Sequence, residues 1–260
     1  MSTSLSILVV GATGSIGQLV VTEALRQGHK VRTLVRTAGK ARNLPASAQV
    51  IIGDVTEPET LIDAVDDIDA VVMTLGSEGF GKAGAEAVDY GGVRNVLSAL
   101  GERTVRIALM TAIGVTNRTG DYNRRTEAHD WKRSAERLVR ASGRPYTIVR
   151  PGWFDYNAAN EQRIVLLQGD TRQAGDASDG VIARAQIARV LVDSLTSDAA
   201  SGKSFELVAE KGAAQADLDP LFDQLEPDRP DALDAIRDTD NQPLSAEPQR
   251  VRDDLAKVRG

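Results

Sequence analysis

The strongest constraint on the fold is a glycine-rich turn that begins at Gly11. The residues before it, Ser6 to Val10, read SILVV, a continuous apolar run typical of a parallel strand buried on both faces. The turn itself reads GATGSIG, and apolar residues at helical spacing follow it directly. The chain therefore opens with a strand, a glycine turn and a helix, the first part of a β-α-β unit.

The three glycines of the turn have different physical roles. Gly11 permits the tight bend, Gly14 lets a pyrophosphate approach the backbone, and Gly17 allows the helix to pack closely on the strand. The first turn of the helix offers unpaired N–H groups and the positive end of its dipole to an anion. We therefore predict a dinucleotide site, with a purely structural turn as the alternative. Its residues are Gly11, Thr13, Gly14, Ser15, Ile16 and Gly17, of which Thr13 and Ser15 add hydroxyl donors.

Strand-like and helix-like segments then alternate as far as Arg150. The predicted strands are 30–35, 50–52, 70–75, 105–110 and 146–149, and the predicted helices between them are 58–65, 88–100 and 127–141. Further strands are predicted at 164–167 and 204–208, with a helix at 184–195. This order predicts an α/β fold, a Rossmann-type doubly wound parallel sheet with right-handed crossovers.

The composition changes at about Lys211. Residues 1–210 form the predicted Rossmann domain, with a small substrate-side region at about 151–210. Residues 211–260 carry seven Lys or Arg against twelve Asp or Glu. Three short amphipathic pieces, 218–225, 231–237 and 247–258, predict an acidic, mostly helical tail. This tail either packs on the domain or meets a protein partner.

Composition also narrows the class of protein. The chain has no cysteine and two histidines, so no metal site is expected. Its formal charge of -6 argues against nucleic-acid binding. No apolar run approaches the roughly 20 residues that span a bilayer, and no signal peptide is recognisable. We expect a cytoplasmic protein whose partner is a small-molecule substrate or a protein, with neither nucleic acid nor membrane.

The end of the second predicted strand bears on which dinucleotide is bound. NAD sites place an acidic residue there to bind the ribose 2′-hydroxyl, but this strand ends in Arg36. An arginine can instead pair with a 2′-phosphate, and Lys40 and Arg42 follow in the loop. The pattern therefore favours NADP(H) over NAD(H), with a solvated basic loop as the alternative.

Several motifs together resemble the atypical short-chain dehydrogenase/reductase family, and within it the NmrA-like or NAD(P)H-binding group. They are GATGSIG, Arg36, the GDV of Gly53 to Val55, and WKRSAERLVRASGRPYTIVRPGWF from Trp131 to Phe154. The resemblance covers about residues 5–210 and leaves the tail outside it. It implies a Rossmann fold and NAD(P)-dependent hydride transfer.

The resemblance also implies roles for residues at the ends of the strands. Asp54 would bind the adenine with Val55 beside it, and Gly76 would let the chain pass close to the cofactor. The segment from Arg150 through Pro151 and Gly152 would line the nicotinamide, and Trp153 and Phe154 would face the substrate. Ordinary packing of a strand end is the alternative for these positions.

One departure from the family pattern affects the chemistry. Family oxidoreductases carry Tyr-x-x-x-Lys after the fifth strand, where the lysine binds ribose and lowers the tyrosine pKa. Lys132 matches the lysine, but Ala128 stands at the tyrosine position, and Thr111 partly keeps the usual hydroxyl. We predict Lys132 and Thr111 as the remaining catalytic residues. Tyr122 and His129 are alternative proton donors, although a histidine near a helix start is more often a surface or capping residue.

Two functions follow from this pattern. The first is an NADP(H)-dependent oxidoreductase that transfers hydride to a flavin, quinone or carbonyl acceptor without the usual tyrosine. The alternative is a non-catalytic NADP sensor of the NmrA-like type, which the missing tyrosine favours. A nucleotide-sugar epimerase or dehydratase ranks below both, because it uses the same tyrosine and a larger C-terminal domain.

Overall fold

A single mostly parallel sheet forms the centre of the computed structural model, which describes residues 4–77 and 80–259. Its strands are β1 (Ser6–Val10), β2 (Lys30–Val35), β3 (Gln49–Ile52), β4 (Ala70–Met73), β5 (Arg106–Met110), β6 (Tyr146–Pro151), β7 (Trp153–Phe154), β8 (Arg163–Leu167), β9 (Val181–Ile182) and β10 (Lys203–Glu210). The strand order is β3-β2-β1-β4-β5-β6-β10-β9-β7, and β8 also pairs with β10.

The strand directions confirm the predicted fold class. The first six strands are parallel to one another, and β10 is parallel to β6. The order β3-β2-β1-β4-β5-β6 is that of a doubly wound Rossmann sheet. Strands β8 and β9 run antiparallel to β10, so the substrate-side region extends the sheet at the far edge.

Helices cover both faces of this sheet. They are α1 (Ser15–Arg26), α2 (Gly81–Gly84), α3 (Gly91–Leu100), α4 (Asp121–Thr126), α5 (Ala128–Ala141), α6 (Arg184–Thr196), α7 (Asp219–Asp223) and α8 (Gln249–Arg259). Apolar residues of α1 and α6 pack into the core on one face, and those of α3 and α5 into the core on the other. Within the described ranges, no helix has the length and apolar character needed to cross a membrane.

Two predicted helices differ from the structure. The segment predicted as helix over 58–65 forms only a short 3-10 turn, Pro58–Leu61. There the Thr60 hydroxyl donates to the backbone oxygens of Glu57 and Asp54, which competes with regular helical bonding. The helix predicted over 88–100 begins as a π-helical segment, Ala85–Tyr90, and becomes α-helical at Gly91. Such π-helical insertions are frequent at functional sites.

The tail packs on the domain, which is one of the two alternatives that the sequence leaves open. From α7, Phe222 packs on Phe205 of the sheet with ring centroids 5.9 Å apart. From α8, Val251 and Leu255 are buried in the core on the opposite face. The piece predicted over 231–237 forms turns rather than a helix, and within it the Asp234 carboxylate pairs with arginines of the domain. The tail thus contributes to both cores of the fold.

Buried arginines on α5 form ion pairs with carboxylates of the acidic tail. Arg133, Arg137 and Arg140 lie within two turns of this helix and are almost fully buried. Asp234 accepts hydrogen bonds from Arg133 and Arg137 at 3.0 and 2.9 Å, and Asp228 accepts one from Arg140 at 3.1 Å. The negative charge of these tail carboxylates is therefore compensated by arginines inside the molecule.

Arg150 joins the same network and does not line the nicotinamide, contrary to the resemblance. Arg150 belongs to β6, where side chains alternate between the two faces of the sheet, and its own side chain lies on the α5 side. It contacts Glu136 at 2.6 Å, Asp238 of the tail at 2.7 Å and Glu206 at 3.3 Å. Although burial opposes ionisation, Arg150 and Arg140 lower the pKa of Glu136 to about 2.

Glu206 makes a testable contribution to pH-dependent stability. Burial raises the pKa of Glu206 to about 7 in spite of Arg150, well above the value of an exposed glutamate. The protonated form is therefore favoured by folding, and this contribution to stability is lost as pH rises toward and through 7. We compare the free energy of unfolding of Glu206→Gln with that of the parent. We expect this difference to shift by ~2 kcal/mol in favour of the variant from about pH 5 to about pH 8. Urea unfolding at both pH values measures this difference, and a constant difference would contradict it.

Candidate active site

A cleft runs along the carboxyl ends of the parallel strands. It consists of two connected pockets, of about 260 and 300 Å³. Both pockets are lined by Gly14, Thr74, Leu75 and Gly76, which form the boundary between them. Because β1 lies between β2 and β4, the cleft sits where the strand order reverses, the usual place for a ligand in an open α/β sheet.

The glycine turn forms the floor of this cleft. Gly11 has φ +87°, and a Cβ there would lie 2.7 Å from the Thr74 backbone oxygen. A Cβ on Gly17 would lie 2.1 Å from the Gly11 backbone oxygen, so only glycine lets α1 pack this closely on β1. No side chain among the described residues caps α1 at Gly14. The first N–H groups of α1 are therefore available to an anion in the cleft.

The smaller pocket brings together the residues predicted for the adenosine end. Thr13, Arg36, Asp54 and Val55 line it. One oxygen of the Asp54 carboxylate accepts hydrogen bonds from the Thr56 N–H and hydroxyl at 2.9 and 2.8 Å. These bonds fix the Asp54 side chain at the pocket wall. Arg36 is exposed at the end of β2, where a phosphate on the adenosine ribose can reach it.

The larger pocket contains Lys132 in an ion pair that the sequence did not predict. The Lys132 Nζ donates to Asp89 at 2.6 Å, and the Ser77 hydroxyl donates to the other oxygen of the same carboxylate. The Asp89 side chain is 1% exposed and that of Lys132 is 14% exposed. Asp89 comes from the π-helical segment Ala85–Tyr90, so this irregular segment sets the lysine at the cleft.

Thr111 lies in the same pocket with its hydroxyl hydrogen directed away from the cleft. Its Oγ1 donates to Glu136 at 2.7 Å. Because Glu136 is also held by Arg150, Thr111 is tied to the buried ion network below the site. The oxygen of Thr111 can accept a hydrogen bond from a ligand, whereas its proton is already used.

Ala128 is buried, and two other residues occupy the space near Lys132. Tyr122 belongs to α4 and lines the larger pocket together with His129. Their rings are in contact, tilted by 54° with centroids 5.1 Å apart. Burial lowers the pKa of His129, so the imidazole is mostly neutral at neutral pH. His129 is therefore the weaker candidate for a proton donor, and Tyr122 remains the other candidate.

Of the four residues predicted at and after the end of β6, one lines this pocket. That residue is Phe154, whereas Trp153 is partly exposed and packs edge-on to Tyr156 at 6.3 Å. Pro151 is buried, and a Cβ on Gly152 would lie 2.4 Å from the Gly180 backbone oxygen. Pro151 and Gly152 therefore allow the end of β6 to pack closely on a neighbouring segment of the same chain, and neither lines the pocket.

Sequence reasoning missed Ser77, Asp89 and Phe80, which line the cleft. Ser77 follows β4 directly after Gly76, so the rule that strand ends carry functional residues could have found it. Asp89 stands among apolar residues of a predicted helix, and a buried carboxylate there was the available signal. Nothing in the sequence predicts the exposed ring of Phe80 at the adenosine end.

The cleft fits a dinucleotide in shape and in chemistry. Among the described residues, a Cβ on Gly76 would meet nothing within 4 Å, so the backbone leaves open space between the two pockets. The uncapped start of α1 supplies donors for phosphates at the same boundary. Fold and cleft together define a dinucleotide-binding protein of the Rossmann type.

The family follows from comparison with known proteins. A family model described as NAD(P)H-binding matches residues 11–198, and the chain belongs to this family. An uncharacterised chloroplast protein of Arabidopsis thaliana is 30% identical over 85% of this chain and 75% of its own length. The sanguinarine reductase of Eschscholzia californica is 26% identical over 86% of this chain and 97% of its own length.

Solved structures agree on the fold. An NAD-dependent epimerase/dehydratase-like protein from Bacillus halodurans has a TM-score of 0.70 and covers 85% of this chain and 100% of its own. At 21% identity, this likeness shows a shared fold. With reductases among its relatives, the chain is oxidoreductase-like and NAD(P)H-binding.

Proposed function

We propose that the protein is an NADPH-dependent reductase of a planar acceptor such as a flavin or quinone. The observation that carries the proposal is the larger pocket, which keeps Lys132 but replaces the usual tyrosine by aromatic walls. Tyr122 and Phe154 both line this pocket. Flat side chains of this kind pack well against a flat conjugated acceptor.

The chemistry divides between cofactor and protein. The dihydronicotinamide supplies a hydride when it is bound, and the protein sets its position against the acceptor. The Lys132 ammonium, held by Asp89, has further N–H groups for ribose hydroxyls, and the Thr111 oxygen can accept a hydrogen bond. Reduction also requires a proton, which Tyr122 is placed to donate. A flavin or quinone can also take this proton from water, so the absence of tyrosine at position 128 is less costly for these acceptors.

Tyr122 can be tested as the proton donor by removing its hydroxyl alone. We expect Tyr122→Phe to lower kcat ~10-fold or more, because a positioned acid contributes roughly 10²-fold or more to such a step. Binding of NADPH should stay within about twofold of the parent, since the ring remains in place. Steady-state kinetics and calorimetric titration measure the two effects. Tyr156→Phe is the matched control, and an unchanged rate in Tyr122→Phe would exclude the role.

Arg36 supports the preference for NADPH. Arg36 lines the smaller pocket directly after β2, and an arginine at this position can pair with a 2′-phosphate. No acidic residue follows β2 directly to bind a 2′-hydroxyl. We expect Arg36→Asp to weaken NADPH binding about tenfold or more and NADH binding less than threefold. Lys30→Asp changes the charge equally at the opposite end of β2 and should alter neither affinity. Calorimetric titration provides the test, and equal losses for NADPH and NADH would refute the preference.

A non-catalytic sensor of the NADP state is the second candidate, and Ala128 favours it. The tail adds no support for a sensor that docks a partner through acidic residues. Asp228, Asp234 and Glu247 are ion-paired with arginines of α5 inside the molecule. Turnover of NADPH with a flavin or quinone distinguishes the reductase from the sensor.

A further inference from the structure

Arg184 lies at the mouth of the larger pocket, although it is not part of any motif singled out in the sequence. It is the first residue of α6, and this helix packs side by side with α1. Its Nε donates to the Ser15 hydroxyl oxygen at 3.1 Å. Its guanidinium also lies over the Phe154 ring, 5.2 Å from the centroid. One cation therefore contacts both the phosphate-binding turn and the substrate side of the pocket.

The hydrogen bond to Ser15 has a direction that matters for an anion. Because the Ser15 oxygen accepts from Arg184, its own proton is free to point elsewhere. Ser15 lines the larger pocket at the start of α1, beside the uncapped N–H groups. A phosphate oxygen there would receive the hydroxyl proton, the backbone N–H groups and the charge of the guanidinium together.

Asp155 holds Arg184 in this place. It has φ +59°, in the left-handed region, and its carboxylate accepts from the Arg184 N–H at 3.0 Å and pairs with the guanidinium. These contacts leave the guanidinium about one-third exposed, with a side chain exposure of 34%. An arginine is suited to this arrangement because its planar fork can serve a carboxylate and a phosphate at once.

We propose that Arg184 binds a phosphate oxygen on the nicotinamide side of the dinucleotide pyrophosphate. Ser15 and Phe154, its two neighbours in the cleft, line the larger pocket, whereas Arg36 lines the adenosine pocket. The two arginines thus serve opposite ends of the cofactor. Arg184 strengthens binding of NADPH and NADH alike, and Arg36 distinguishes between them. The inference rests on cofactor binding and does not require the proposed turnover.

The test compares a whole cofactor with a fragment that lacks the nicotinamide-side phosphate. Arg184→Gln and the parent are titrated calorimetrically with NADPH, NADH and adenosine 2′,5′-bisphosphate. Arg163→Gln is the control, because Arg163 pairs with exposed Glu210 on the sheet. We expect Arg184→Gln to weaken NADPH and NADH binding about tenfold each, as the loss of one charge-assisted hydrogen bond implies. Binding of the bisphosphate should change less than twofold.

Two results would overturn the proposal. Unchanged NADPH affinity in Arg184→Gln would show that the residue serves only Asp155 and α6. An equal loss for the bisphosphate would show a general effect on the cleft, and thermal melting would reveal whether the fold is at fault. Failure of the proposed reductase is a separate outcome, namely NADPH binding by the parent without oxidation.

Discussion

Gly14→Val should abolish dinucleotide binding and leave a folded protein. Gly14 has φ -71° and ψ 163°, an extended conformation that any residue adopts, so the backbone tolerates a side chain. A Cβ there would lie 3.2 Å from the Gly11 oxygen, and the valine methyls would fill the boundary that both pockets share. We expect a loss of affinity for NADPH of about 100-fold or more, equal to ~2.7 kcal/mol.

Calorimetric titration and thermal melting measure these two effects separately. Gly39→Val is the matched control, since among the described residues a Cβ at Gly39 would meet nothing within 4 Å. Gly17→Ala should fail differently, by losing the fold, because its Cβ would lie 2.1 Å from the Gly11 oxygen. Parent-like affinity for NADPH in a folded Gly14→Val variant would contradict the placement of the pyrophosphate.

Arg150→Met should give a large loss of stability in a protein that still folds. Arg150 is 1% exposed and contacts Glu136, Glu206 and Asp238, so its removal leaves three carboxylates with much less compensation. Breaking a buried ion pair by removing one partner costs roughly 3–5 kcal/mol. We expect a loss of this size in the free energy of unfolding, measured by urea denaturation.

Arg163→Met is the control for this stability effect. Arg163 and Glu210 form an exposed pair, and such pairs contribute about 1 kcal/mol or less. An equal loss in the free energy of unfolding in both variants would show that the buried network stabilises the protein no more than an exposed ion pair does. A loss below about 1 kcal/mol for Arg150→Met would contradict the view that this network fastens the tail to the sheet.

The fold was predictable because its signals are local. The SILVV strand and the GATGSIG turn need only neighbouring residues to be interpreted, and the structure confirms β1 over Ser6–Val10. The helix predicted over 127–141 is confirmed, beginning at Ala128. The predicted helix over 58–65 failed because hydroxyl-to-backbone bonds of Thr60 compete with the helical ones.

The site was predictable in part, for a physical reason. Residues at strand ends, such as Arg36 and Asp54, reach the cleft because parallel strands deliver them to one edge. Asp89 reaches Lys132 through a π-helical segment that periodicity does not predict. Arg150 was predicted to line the nicotinamide but lies in the buried ion network. Its burial depends on carboxylates of a distant tail segment, Asp238 among them.

The measurement that tests the central claim most directly is the loss of NADPH absorbance on addition of a flavin or quinone. It is made with the whole 260-residue chain after calorimetric titration has established the affinity for NADPH. We expect tight NADPH binding and steady oxidation that depends on the acceptor and is slower in Tyr122→Phe. Tight binding with no oxidation by any flavin or quinone would contradict the reductase and leave the sensor as the better description.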